Sequence, residues 1–334
     1  MVFSTLFLLA QVLVSALAAP VINERAGAVT AASSSFVSSL TPYMQFARAA
    51  YCTEGASVWS CGVTVVQPRD SIPLAACNAI SDFQIYAGGG DGAATPSWFV
   101  GWSPSLSSII VAHEGTDPTQ FLSLVNDADF VPDAMDQTYF PGISTSIEVH
   151  GGFQDTFKRS ASSILAAVKK VMAAKSSSKV TLVGHSLGGA LALLDSIYLK
   201  IQIPSITTKT VTLGGPRVGN PAFASYLGSF DLTRITHELD PIPIVPGRGL
   251  GFAHPQGEVH QSSADDLWYN CPGSDNTDIR CSTGNVPNIF VSDIIDHLGE
   301  KPSFSESSPR LMPLLCHVKG LITTISGLEL FIAD

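Results

Sequence analysis

The segment Gly184-His185-Ser186-Leu187-Gly188 sets one serine between two glycines in the pattern G-x-S-x-G. Such a pentapeptide arises by chance about 0.1 times in a chain of this length, taking Gly and Ser near 7% each. Its context is more specific than its letters. The apolar run Val180 to Val183 leads in, and the Ala/Leu-rich segment Ser186 to Lys200 leads out. A strand that turns sharply into a helix at a serine lifts the hydroxyl above the sheet edge. Gly184 and Gly188 leave room where side chains would strike the neighbouring strand and helix. The helix N-terminus favours developing negative charge, and the backbone N–H of Leu187 becomes one donor to an oxyanion. The chemistry predicted is nucleophilic acyl transfer through Ser186.

A serine at neutral pH needs a base, and the base needs an orienting carboxylate. In hydrolases built on this turn, the chain order is Ser, then Asp or Glu, then His. The downstream histidines are His237, His254, His260, His297 and His317. Asp240 follows Thr236-His237-Glu238-Leu239, at the expected end of a strand. Pro241 and Pro243 stop that strand and fix the loop. Asp231 precedes the strand and is a poor candidate. His297 comes late, in Asp293-Ile294-Ile295-Asp296-His297, where a loop or helix start would present it. Asp296 is too near in sequence to orient the His297 Nδ1 and is read as support. His254 and His260 are rivals for the base. His317 adjoins Cys316 and reads as structural, and His185 is expected to point into the core.

These residues need a scaffold. Apolar residues at helical spacing predict a helix over Ala31–Ala50 and another over Ser160–Lys175. Strand-like runs lie at Phe83–Tyr86, Ser97–Trp102, Ser108–Ala112, Ile147–His150, Val180–Val183, Val211–Leu213 and Thr233–His237. Gly88-Gly89-Gly90-Asp91-Gly92 reads as a hairpin or loop tip, because no Lys-Ser/Thr follows to make a phosphate loop. Strands alternating with helices predict one α/β domain with a mostly parallel sheet.

The 334 residues are 45% hydrophobic and only 14% charged, with a net charge of −10. A nucleic-acid binder needs a basic stripe, and a disordered chain needs far less apolar content, so both are excluded. The apolar run Leu6 to Ala18 ends in Ala16-Leu17-Ala18, which predicts a secretory signal over residues 1–18 and a mature domain over 19–334. The run falls short of the ~20 residues that a membrane span needs. Lys319, Glu329 and Asp334 interrupt the apolar tail from Leu311, so no integral span is expected. Cys52, Cys61, Cys77, Cys271, Cys281 and Cys316 then read as disulfide formers outside the cell. Cys271 and Cys281 bracket a polar loop and are natural local partners, while the other pairings stay open. No cofactor or metal motif is present in the sequence.

Further motifs run in order along the chain: Ala50-Tyr51-Cys52, Ile109 to Thr116, and Val149-His150-Gly151-Gly152-Phe153. After the serine motif come Leu213-Gly214-Gly215-Pro216-Arg217-Val218-Gly219-Asn220, His237 to Pro243, Gly251 to His260, and Asp296-His297. In these the chain resembles the fungal class 3 lipases, a family that also holds feruloyl esterases and mono/diacylglycerol lipases. The resemblance implies an α/β-hydrolase fold, a single domain with a mostly parallel central sheet flanked by helices. It implies a triad of Ser186, Asp240 and His297, with Thr116 as the second oxyanion donor beside Leu187. It implies a Cys52–Cys316 disulfide, under which Cys61 and Cys77 form the remaining pair. It also places a lid over residues 117–128, where Phe121, Leu122, Leu124 and Val125 could form an apolar face. The other reading of that segment is a fixed helix, as in an esterase of soluble substrates. The implied activity is ester hydrolysis by a secreted monomer without metal or cofactor. Glycerides and aryl esters are both candidate substrates, and transient contact with a lipid interface is expected. A peptidase, an acyltransferase and a silent lipid- or glycan-binding protein are the competing readings. Two positions depart from the family pattern. Glu114 stands where Arg is common, and Leu298-Gly299-Glu300-Lys301 follows His297 where an aromatic pair is common.

Overall fold

The computed structural model describes residues 27–52, 76, 77, 79–116, 121 and 132–299. The expected signal segment, Cys61, Cys316, His317, the apolar tail, and the lid positions Leu122, Leu124 and Val125 lie outside the described residues.

The strands are β1 (Thr30–Ala31), β2 (Gln84–Gly89), β3 (Trp98–Ser103), β4 (Ser108–His113), β5 (Pro132–Ala134) and β6 (Glu148–His150). They continue with β7 (Lys179–His185), β8 (Thr207–Leu213), β9 (Asp231–His237), β10 (Glu258–Gln261) and β11 (Trp268–Cys271). Nine of them form one sheet in the order β1-β11-β10-β9-β8-β7-β4-β3-β2, and β5 pairs with β6 alone. Strands β4, β7, β8, β9 and β10 run parallel at the centre. Antiparallel strands flank them on both sides.

Alternation along β4 explains why its sequence is continuously apolar. Ile109 and Val111 face one core, and Ile110 and Ala112 face the other. A parallel strand covered on both faces has no polar side to show. The first core is closed by helices α2 (Gly151–Lys158), α3 (Ala161–Lys175) and α4 (Leu187–Gln202). The second is closed by α1 (Ser34–Ala49). The Ser33 hydroxyl caps α1 by accepting the Phe36 N–H at 3.2 Å. The chain before that cap is taken by β1, so α1 starts later than its apolar spacing alone indicates. Three short helices, α5 (Pro221–Tyr226), α6 (Ser282–Asn285) and α7 (Ile294–His297), follow among the described residues.

Two expectations need correction. Gly88-Gly89-Gly90-Asp91-Gly92 does lie in a hairpin, between β2 and β3, but β2 runs through Gly88 and Gly89, so the loop tip begins only at Gly90 with φ of 94°. The bare Gly89 backbone is what allows the Trp98 indole to lie across it. The sheet also extends past the expected strands. The polar segment Glu258-Val259-His260-Gln261 is fully buried as β10, because pairing with β9 brings partners to its side chains. Thr236 Oγ1 donates to Glu258 Oε1 at 2.9 Å.

Candidate active site

Strand β7 lies inside the parallel region, between β8 and β4, so its C-terminal end opens above the sheet. The chain then turns through Ser186 at φ 57°, ψ −129°, a region that residues with a β-carbon rarely adopt. Two hydrogen bonds hold the turn. The Ser186 N–H donates to Leu213 O at 2.9 Å, and Ser186 O accepts the Gly189 N–H at 2.9 Å. A β-carbon at Gly188 would sit 2.6 Å from the carbonyl oxygens of His113 and Glu114. Glycine there lets α4 start against the end of β4. Ser186 is buried, and its Oγ has no hydrogen-bond partner among the described residues.

His297 ends the single-turn helix α7. Its Nδ1 lies 2.9 Å from Asp240 Oδ2, and both residues are buried. A carboxylate accepts only, so Nδ1 carries the proton and Nε2 keeps its lone pair. That Nε2 has no partner among the described residues. Asp240 is fixed in turn. Its Oδ1 accepts the Ile242 N–H at 2.8 Å, and its own N–H donates to His237 O at 3.0 Å. Asp296 Oδ2 accepts the Leu239 N–H at 3.0 Å, and His237 Nδ1 donates to Asp296 O at 3.0 Å.

The rival histidines are engaged elsewhere. His254 Nε2 donates to Pro243 O at 2.7 Å, and burial pushes its basicity far below the usual imidazole range. His260 Nδ1 lies 2.9 Å from Thr236 Oγ1, and burial pulls its pKa down to about 4. His185 is buried as expected, but it does not sit in an apolar core. Its Nδ1 is 2.6 Å from Tyr51 Oη and its Nε2 is 3.0 Å from His297 O. Neither Tyr51 nor His185 was singled out for chemistry by sequence. Both stand inside quoted motifs, Ala50-Tyr51-Cys52 and Gly184-His185-Ser186, as polar rings directly beside a cysteine and the serine.

Leu187 is the first residue of α4, where an N–H has no acceptor within the helix. Thr116 is half-buried and follows Gly115, whose backbone passes against the Ser186 side chain. Glu114, in the place of the common Arg, fastens this loop to the start of β3. Its Oε2 accepts the Ser97 N–H at 2.9 Å, and its N–H donates to Ser97 O at 2.8 Å. Phe121, the one described lid candidate, is fully buried and stacks on Phe153 with ring centroids 5.9 Å apart.

Cys271 and Cys281 form a disulfide. Cys77 is disulfide-bonded as well, its expected partner Cys61 lying outside the described residues. Among the described residues, the one grouping of metal-ligand types is Glu258 with Cys271 and Cys281. Joining the two sulfurs removes it as a metal site. No described helix is long and apolar enough to cross a membrane.

A parallel sheet with a serine elbow at the end of β7 and an Asp–His pair beyond the neighbouring strand ends defines the class: this is an α/β-hydrolase fold. Residues 110–250 match the family model described as Lipase (class 3). A secreted mono- and diacylglycerol lipase of Malassezia globosa is 30% identical over 247 residues, 72% of this chain and 74% of that protein. A lipase of Rhizopus niveus is 31% identical over 279 residues, 81% of this chain and 65% of that protein. A solved structure described as "a serine protease triad forms the catalytic centre of a triacylglycerol lipase" superimposes with a TM-score of 0.66 at 27% identity. It covers 81% of this chain and 96% of its own. The chain belongs to the class 3 lipase family and is a carboxylic ester hydrolase.

Proposed function

We propose that this enzyme hydrolyses glyceride esters through an acyl-enzyme on Ser186, with His297 as the base and Asp240 as its orienting carboxylate. One observation carries the reading. The 2.9 Å contact between Asp240 and His297 Nδ1 turns the opposite ring nitrogen toward a buried site that also holds the Ser186 hydroxyl, and neither group has a hydrogen-bond partner among the described residues. His297 Nε2 takes the Ser186 proton as Oγ attacks the ester carbonyl. The N–H groups of Leu187 and Thr116, with the Thr116 hydroxyl, receive the oxyanion, each donor worth ~3–4 kcal/mol of barrier. His297 returns the proton to the departing alcohol. Water then enters, gives its proton to His297 and attacks the acyl carbonyl, and His297 passes that proton to Ser186 Oγ as the acid is released.

A closed, buried serine suits a substrate delivered from an apolar phase. Phe121 is fully buried on Phe153 in the main core, as the fixed-helix reading of its segment expects, so a lid there would have to carry that ring out before a chain enters. Glycerides are favoured over hydroxycinnamoyl esters by the kinship to a secreted mono- and diacylglycerol lipase. The same kinship, the N-terminal apolar run and the disulfides support a place outside the cell.

Ser186→Ala is the first test. Hydrolysis of p-nitrophenyl butyrate should fall roughly a millionfold, with the circular dichroism spectrum unchanged. Persistent hydrolysis would mean a different nucleophile. A substrate panel is the second. Monoolein and diolein emulsions should be cleaved faster than methyl ferulate, with a rate jump above the solubility limit. The reverse order would make the enzyme an aryl esterase with a fixed helix over its site.

A further inference from the structure

Three segments distant in sequence meet behind the proposed triad. Tyr51 lies in the 3₁₀ turn Ala50–Cys52 that follows α1, His185 immediately precedes the elbow serine, and His297 ends α7. The Tyr51 hydroxyl is 2.6 Å from His185 Nδ1, and His185 Nε2 is 3.0 Å from the His297 carbonyl oxygen. A carbonyl can only accept, so Nε2 holds the ring proton and Nδ1 receives the phenol O–H. The phenol oxygen also lies against the Gly115 backbone, where a β-carbon would sit 2.3 Å from it. The Gly115 backbone runs so close to the elbow that a β-carbon there would lie 2.7 Å from His185 O and 2.8 Å from Ser186 Cβ.

We propose that Tyr51 and His185 are positioning residues for catalysis: the relay Tyr51 O–H to His185 Nδ1 and His185 Nε2–H to His297 C=O, with the Tyr51 hydroxyl packed on the Gly115 backbone, fixes the base relative to the oxyanion loop. The inference rests on the triad reading above. Each of the two donors has one acceptor, so the direction of the relay is set. Thr116, the next residue after Gly115, is thereby tied to the same frame as His297. The relay also has an electrostatic consequence. The His185 and His297 rings lie 4.4 Å apart. Burial, reinforced by the neighbouring His297, holds the His185 basicity far below the usual imidazole range. His185 therefore stays neutral beside His297 as that ring takes on the serine proton, and no like charge opposes the transfer.

The test separates positioning from mere packing by counting competent sites. Wild type, Tyr51→Phe, His185→Gln and His185→Leu are titrated with a fluorophosphonate that labels the nucleophilic serine, and kcat for p-nitrophenyl butyrate is expressed per labelled site. Tyr51→Phe should label to full stoichiometry, with kcat per site about 10- to 100-fold lower, the range expected when a catalytic group is displaced slightly, and KM within about twofold. His185→Gln keeps an N–H for the His297 carbonyl and should retain several-fold more activity per site than His185→Leu. Wild-type kcat per site in Tyr51→Phe overturns the relay. So does a loss confined to the number of labelled sites, or equal losses in the Gln and Leu variants. Ser186→Ala judges the nucleophile separately: inert Ser186→Ala with unimpaired Tyr51→Phe would sink the relay and leave the triad standing.

Discussion

Asp296 Oδ2 accepts the Leu239 N–H at 3.0 Å, so the residue before His297 holds the residue before Asp240. The Asp293 N–H returns the tie by donating to Leu239 O at 2.9 Å. Acid and base of the proposed pair are thus fastened through their chain neighbours as well as through their own contact. Asp240→Asn keeps the shape but presents the wrong hydrogen-bonding group to Nδ1, and kcat should fall about 10⁴-fold, as in serine proteases. Asp296→Ala only loosens the frame. It strands a half-buried N–H, worth about 1–3 kcal/mol at most, so a loss nearer tenfold in kcat is expected. Steady-state kinetics on a soluble ester checks both. Equal effects of the two substitutions would contradict the division of roles.

Much of this site was legible because local sequence dictates it. The elbow needs small residues at Gly184 and Gly188, an apolar strand before and a helix former after, and all are contiguous. Asp240 was marked by the prolines that end its strand. What escaped was long-range polar pairing. His113 Nε2 lies 2.7 Å from Asp195 Oδ2 under the elbow, both buried, yet 82 positions separate them. The Tyr51–His185 contact spans 134 positions. Nothing in either local sequence specifies the partner. Strand β10 escaped for a related reason: its polar side chains are buried only because β9 and α6 bring acceptors and donors to them, as when Glu258 Oε1 accepts the Ser282 N–H at 3.0 Å.

Acid stability should report on Asp275. Its Oδ1 lies 2.8 Å from Arg217 Nη2, and its Oδ2 accepts the His254 N–H at 2.9 Å. Burial pushes its carboxyl up, but the Arg217 guanidinium beside it and the hydrogen bonds from Arg217 and from the His254 backbone N–H outweigh that and bring the pKa down to about 2. A carboxylate depressed on folding adds stability above its unfolded value and loses it as pH falls toward its folded value. Asp275→Asn should therefore cost about 2 kcal/mol at pH 7. The difference from wild type should shrink between pH 4 and 2. Urea unfolding across that range measures it, and a constant difference would exclude the linkage.

The Cys271–Cys281 disulfide closes a loop with a sequence separation of 10, at a place where Arg217, Asp275 and Thr283 converge. On the chain-entropy model a loop of this size contributes about 3 kcal/mol by restricting the unfolded chain. The double variant Cys271→Ala, Cys281→Ala should lose about that much stability in denaturant. Its kcat on soluble esters at 25 °C should stay within about twofold of wild type, because Asp240 and His297 are held by bonds that do not involve this loop. A large loss of kcat without a loss of stability would show instead that the loop shapes the site.

Contact with lipid should centre on the tip Ile289-Phe290-Val291. The three side chains are exposed, Phe290 to 92%. The tip is also rigidly mounted: Asn288 Oδ1 accepts the Phe290 N–H at 3.0 Å, and the Ser292 hydroxyl donates to Ile289 O at 2.7 Å. Two residues further on, Asp293 is bound to Leu239, beside Asp240. An apolar tip fixed next to the proposed Asp–His pair would enter an oil surface and bring the site with it. Burying a phenylalanine fully is worth about 1.5–3 kcal/mol, so a partly inserted ring at the lower end corresponds to roughly a tenfold change in surface affinity. Phe290→Asp should raise the emulsion concentration needed for half-maximal rate by about that factor. It should leave kcat/KM on dissolved p-nitrophenyl butyrate unchanged, because the side chain points to solvent. Parallel losses in both assays would place Phe290 in substrate binding and not at the interface.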